Sequence, residues 1–148
     1  MQRNITLLLP LLLTLLYGTP LLAEVATRSG EYTIHHNAFK ADFIPPEVAR
    51  RHDLDRSKYR GMVNIAVIRE QPGTTGQAVA ATIEIAANDL MQRSKSITLK
   101  EIREGDAIYY IGSFPIIDQE IIHFRLRVRP EGSSQLINAR FSQQFYVD

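Results

Sequence analysis

Apolar and polar residues alternate with period two in seven separate stretches of the chain, the pattern of strands that bury one face. In residues 31–43, Tyr32, Ile34, His36 and Ala38 fall on one side, and Thr33, His35, Asn37 and Phe39 on the other. Residues 62–70 set Val63, Ile65 and Val67 against Asn64, Ala66 and Ile68. Residues 78–87 hold enough alanine for a helix. Yet Val79, Ala81, Ile83 and Ile85 alternate with Ala80, Thr82, Glu84 and Ala86, so a strand is expected. Residues 96–103 place Ile97 and Leu99 opposite Thr98 and Lys100. Glu104-Gly105-Asp106 then turns the chain into residues 107–114, and Pro115 stops that strand because it cannot donate a ladder hydrogen bond. Residues 121–129 alternate most cleanly, with Ile122, Phe124, Leu126 and Val128 inward and His123, Arg125, Arg127 and Arg129 outward. In the last stretch, 136–147, Ile137, Ala139, Phe141, Phe145 and Val147 share the inward side.

Turn-forming runs separate these stretches, notably Gln71-Pro72-Gly73-Thr74-Thr75-Gly76 and Pro130-Glu131-Gly132-Ser133-Ser134. Seven strands without a long helical pattern predict an all-β domain, an immunoglobulin-like antiparallel β-sandwich, with an open barrel as the competing closure. One connection is long. Ile44 to Arg60 spans 17 residues, and loops of that length in compact domains often carry function. Pro45-Pro46 holds its start extended, and Pro46 can open a short helical turn through Arg51. Ile44, Val48 and Leu54 are expected to plug one end of the sandwich. From Glu47 to Arg60 the loop has five basic residues against three acidic ones. Arg56 and Lys58 are therefore the candidate binding residues, facing an acidic or anionic partner. The competing reading makes the loop a packed cover with solvated charges.

Composition adds a leader. Of 15 Leu, 10 lie between Leu7 and Leu22, whereas 15 of 16 Ile lie after that point. Arg3, the apolar run Ile5 to Leu16, the breakers Gly18 and Pro20, and Leu21-Leu22-Ala23 together predict a signal peptide over residues 1–23. Cleavage before Glu24 leaves one domain, 24–148, exported to a bacterial periplasm. Pro10 interrupts the apolar run, which falls short of the roughly 20 residues a membrane span requires. Without Arg3 the remaining chain has 16 basic and 16 acidic residues. A neutral domain lacks the overall basic field of a nucleic-acid binder.

Chemistry is sparse. The chain has no Cys, so disulfides, thiolate metal sites and Cys nucleophiles are excluded. His35 and His36 are neighbours on a strand and point to opposite faces. A copper or zinc site drawn from His35 or His36, His123 and a carboxylate across two strands is the alternative function. No spacing of metal-ligand residues selects it. The chain has no Gly-x-Ser-x-Gly elbow, phosphate-cradling glycine loop or dinucleotide fingerprint. No enzyme activity and no cofactor are expected, and an enzyme with an unrecognised site is the second alternative. The stripe Arg125, Arg127, Arg129 is expected to be a solvated face paired with acidic residues of a neighbouring strand.

Gly30-Glu31-Tyr32-Thr33-Ile34-His35-His36-Asn37-Ala38-Phe39 and Phe43-Ile44-Pro45-Pro46-Glu47-Val48-Ala49, followed by Arg56-Ser57-Lys58, resemble a family of bacterial envelope proteins, domain of unknown function 4426. Ile102 to Tyr110 and the terminal Gln144-Phe145-Tyr146-Val147 resemble it too. His36 departs from the pattern, standing where an aromatic such as Tyr is expected. The resemblance implies a small exported β domain and assigns no catalytic residue. The expected function is a periplasmic binding or interaction module, engaging another envelope protein or an anionic ligand.

Overall fold

Ten strands form two antiparallel sheets in the computed structural model, which describes residues 26–148; the leader assigned to residues 1–23 lies outside these. The first sheet runs β1 (Ala26–Ser29), β2 (Tyr32–Lys40), β3 (Arg60–Arg69), β8 (Ala107–Pro115), β7 (Lys100–Glu104), with β4 (Gln77–Ala78) also paired to β3. The second runs β10 (Ile137–Phe145), β9 (Glu120–Pro130), β5 (Ala81–Asp89), β6 (Ser94–Lys95). The seven long strands are the seven alternating stretches. Their order, β2-β3-β8-β7 against β10-β9-β5, reproduces the four-plus-three arrangement of an immunoglobulin constant-type sandwich. The three short strands fall where the chain passes between sheets or meets an edge. Ala78 still pairs with Ile68 in the first sheet, so β5 starts at Ala81 rather than at residue 78. Likewise β7 starts at Lys100 because residues 96–99 cross over the sheet interior. A Cβ on Gly112 would meet Ile97 at 2.5 Å and Leu99 at 3.1 Å, so glycine leaves the room these side chains fill.

Without a disulfide, the sheets are held by apolar contact. Val63, Ile65 and Val67 of β3 and Phe124, Leu126 and Val128 of β9 are all buried in one cluster. These are the two strands that a disulfide joins in antibody domains. Aromatic rings cross the interface in sequence. Phe114 packs edge-on against Phe124 at 5.5 Å, Phe124 stacks on Phe141 at 4.6 Å, and Phe141 stacks on His36 at 4.6 Å. Gly61 admits Phe114, since a Cβ there would lie 2.5 Å from its ring. A polar staple adds to this: the Tyr110 hydroxyl of β8 accepts from the Ala81 backbone N–H of β5 at 2.8 Å.

The long loop folds into a 3-10 turn, Ala41–Phe43, and helix α1, Pro46–His52. Pro46 occupies the first helical turn, where its missing N–H costs nothing, and Asp53 ends the helix in the left-handed conformation at φ 54°. The plug of Ile44, Val48 and Leu54 forms, but over a face rather than an end. It packs with Ala41 and Ala49 on Phe39, Met62 and Ile111. Those three residues sit on the outward side of β2, β3 and β8, opposite in parity to the core residues. Apolar side chains on that face require a cover, and the loop supplies it.

Phe124→Ala should lower the unfolding free energy by about 3–5 kcal/mol in urea melts, the cost of a cavity in a packed interior. A loss below about 1 kcal/mol would mean that Phe124 does not join the two sheets.

Candidate functional site

Both candidate residues of the loop are engaged with the protein itself. Arg56 Nε donates to the Ile44 carbonyl at 2.6 Å, and its Nη2 donates to the Asp42 carbonyl at 3.1 Å. The guanidinium thus braces the loop's first turn at its middle residue, Asp42, and at its C-cap, Ile44. Lys58 is exposed, and its Nζ donates to the Asp148 carbonyl at 3.1 Å while lying 5.2 Å from the Tyr59 ring centre. Lys40 reaches the same residue, donating to Asp148 Oδ1 at 3.1 Å. That hydrogen bond raises the Lys40 pKa and lowers that of the Asp148 carboxyl. The far side of the loop is tied to β7. His52 Nε2 lies 2.6 Å from Glu104 Oε1, and Lys100 Nζ donates to the His52 carbonyl at 2.8 Å.

Around Lys40 and Lys58 stands a group of large apolar side chains that strand alternation did not single out. Phe43, Tyr59, Ile117 and Tyr146 are 73%, 58%, 58% and 55% exposed. Their placement is fixed by contacts between neighbours. Lys40 Nζ lies 6.0 Å from the Phe43 ring centre, the Ile116 N–H donates to the Tyr59 carbonyl, and the Val147 N–H donates to Asp118. The hairpin residues Leu90 and Met91, also exposed, belong to the same end, because Asp89 pairs with Ile122 near the start of β9. These positions lie just past the strand ends, where period two stops and no sequence signal replaces it.

The family model for the domain of unknown function DUF4426 matches residues 26–148. The chain belongs to that family. A crystal structure of a DUF4426 family protein, PA0388 from Pseudomonas aeruginosa PAO1, has a TM-score of 0.73 at 28% identity, covering 84% of this chain and 96% of that one. FetP of uropathogenic E. coli strain F11, recombinantly expressed in the periplasm of E. coli BL21(DE3), gives a TM-score of 0.59, covering 82% of this chain and 93% of its own. At 8% identity FetP shares the fold alone. No curated protein matches the chain.

In this DUF4426 domain the histidines stand apart. His36 is buried between the sheets, stacked on Phe141 and 3.0 Å from the Thr27 hydroxyl, so it fills the place of an aromatic residue. Burial lowers its pKa; a backbone hydrogen bond opposes that shift, and the charge of His35 adds to it. His35 points to the other side of the same sheet, paired in register with Ala66. His123 lies on the outer side of the second sheet, its Nδ1 2.6 Å from the Ser142 hydroxyl. His35, His36 and His123 therefore do not converge, and the described residues hold no group of three or more His, Asp or Glu placed to ligate a metal.

The arginine stripe of the DUF4426 domain is less neutralised than expected. Arg127 pairs with Glu84 at 2.9 Å. Among the described residues Arg125 makes a single long contact, 3.5 Å to Asn88, and it stands directly across from Arg140 of β10.

Two outcomes test these assignments. Arg56→Ala should destabilise the domain by about 1–3 kcal/mol, since two carbonyls lose a charged donor. Lys58→Ala, at an exposed contact, should stay within about 0.5 kcal/mol, both read by thermal melting. The second concerns pH. Unfolded His36 titrates near its ordinary 6.5 and the folded residue lower, so its neutral ring contributes stability that is complete above pH 6.5 and lost as pH falls below it. His36→Phe should flatten the melting temperature against pH below 6.5, and an unchanged slope would assign that acid sensitivity elsewhere.

Proposed function

We propose that this DUF4426 protein is exported to the periplasm by the leader at residues 1–23 and acts there, without enzymatic activity, as a module that docks another envelope protein. The observation that carries the reading is the exposed group Phe43, Tyr59, Ile117 and Tyr146 at one end of the sandwich. Contiguous large apolar side chains ringed by polar ones are characteristic of interaction surfaces, and tyrosine and phenylalanine are enriched where proteins meet. The charges among them have both signs, Lys40 and Lys58 against Asp118 and Asp148. Mixed signs suit a protein partner better than a uniformly anionic membrane. Lys58 stands at the rim of this patch as a direct contact, and Arg56 supports it by fixing the loop beneath. The leader's n-region, apolar run and small residue at the cut support export.

The test uses mature protein released from the periplasm, whose intact mass should begin near Glu24. Wild type should retain a specific envelope protein in pull-down, and Phe43→Ser/Tyr146→Ser should lose it without a shift in melting temperature. Retention of the same partner by the double variant would overturn the docking surface. Recovery of the protein only with Met1 intact would overturn export.

A further inference from the structure

The two outer faces of the sandwich are treated differently. The loop bearing α1 covers the first sheet, whereas the outer face of the second has no cover among the described residues. Strand register arranges that bare face in rows. Arg125 has Arg140 on one side and Ala86 on the other; Arg127 has Asn138 and Glu84; Arg129 has Thr82; His123 has Ser142 and Asn88. Four guanidinium groups and one carboxylate therefore share a face of a chain that is neutral after its leader. Glu84 is spent on Arg127, and Arg125, Arg129 and Arg140 have no carboxylate within ion-pair distance among the described residues.

The pair Arg125–Arg140 is the unusual element. Like charges directly across an antiparallel pair destabilise it, because their Cβ atoms are held about 5 Å apart. Beside them the small Ala86 leaves a shallow depression of about 530 Å³, lined also by Glu84, Arg127 and Asn138. All the cations are arginines, whose planar forks match a tetrahedral oxyanion with two parallel hydrogen bonds, and the Asn138 amide adds a neutral donor. The depression itself is lined by no aromatic ring to stack a base and by no exposed large apolar side chain to enter a bilayer.

We infer that this depression is a binding site for a small soluble phosphate ester, its phosphate held between Arg125 and Arg140. Neutralising two facing guanidinium groups converts a repulsive cross-strand pair into a bridged one. This inference does not rest on the proposed docking end, since the arginines lie on a sheet face and use none of its residues.

Calorimetric titration of the mature protein with glycerol phosphate, with inorganic phosphate alongside, tests it. Saturable one-site binding that weakens with added salt is expected, together with a higher melting temperature in the ligand's presence. Arg125→Ala/Arg140→Ala should weaken binding at least tenfold and melt no lower than wild type without ligand. Arg125→Lys/Arg140→Lys, which keeps the charge and removes the forks, should weaken it by a smaller factor. Absence of saturable binding, affinity unchanged in the alanine pair, or binding to phosphatidylglycerol vesicles but not to the soluble ester would each overturn the assignment.

Discussion

Phe124 touches both halves of the molecule. Its ring meets Phe114 of the first sheet edge-on and lies flat on Phe141 of its own, which in turn covers His36 of the first sheet again. A domain of this size with no cysteine depends on such contacts, because no covalent link limits its unfolded chain. Close-packed rings also fix how the sheets sit on each other, since an interior at crystal-like density tolerates little sliding. Every surface feature of the protein depends on that fixed registration.

Once Phe124 and its partners define the inside, period two assigns everything else to the outside. For the first sheet this puts Phe39, Met62 and Ile111 in water, and the 17-residue connection folds back to cover them. For the second sheet the same rule puts His123, Arg125, Arg127 and Arg129 outside, where no cover is needed. A charged face is stable in solvent, whereas an apolar one is not. The difference between the two faces thus follows from the residues at alternate positions and requires no separate explanation.

Much of this was legible in the chain. The strands of residues 62–70 and 121–129 followed from alternation alone, as did the outward arginines, and Pro46 announced α1. The alanine-rich segment behaved as a strand because Ile83 and Ile85 have a core to meet, which outweighs the helix preference of alanine. What period two could not show were relations between distant residues. Arg56 looked like a free cation, yet its donors are held by carbonyls 12 and 14 positions away. The loop's apolar residues were evident, but whether they close an end or cover a face depends on Met62 and Ile111, which only the sheet register brings beneath them. Phe43 and Asp148, 105 positions apart, are brought to one place by Lys40, which lies against the ring of the first and bonds the carboxylate of the second.

Gly61 and Phe114 face each other across β3 and β8, and the ring of one occupies the space where the other would have a Cβ. Neither position is then free to drift by itself. A side chain at 61 becomes tolerable only after 114 has shrunk, and a smaller residue at 114 leaves a void that a side chain at 61 can fill. Among DUF4426 sequences the two sites should therefore change as a pair, and a chimera taking one residue from each of two relatives should fold worse than either parent.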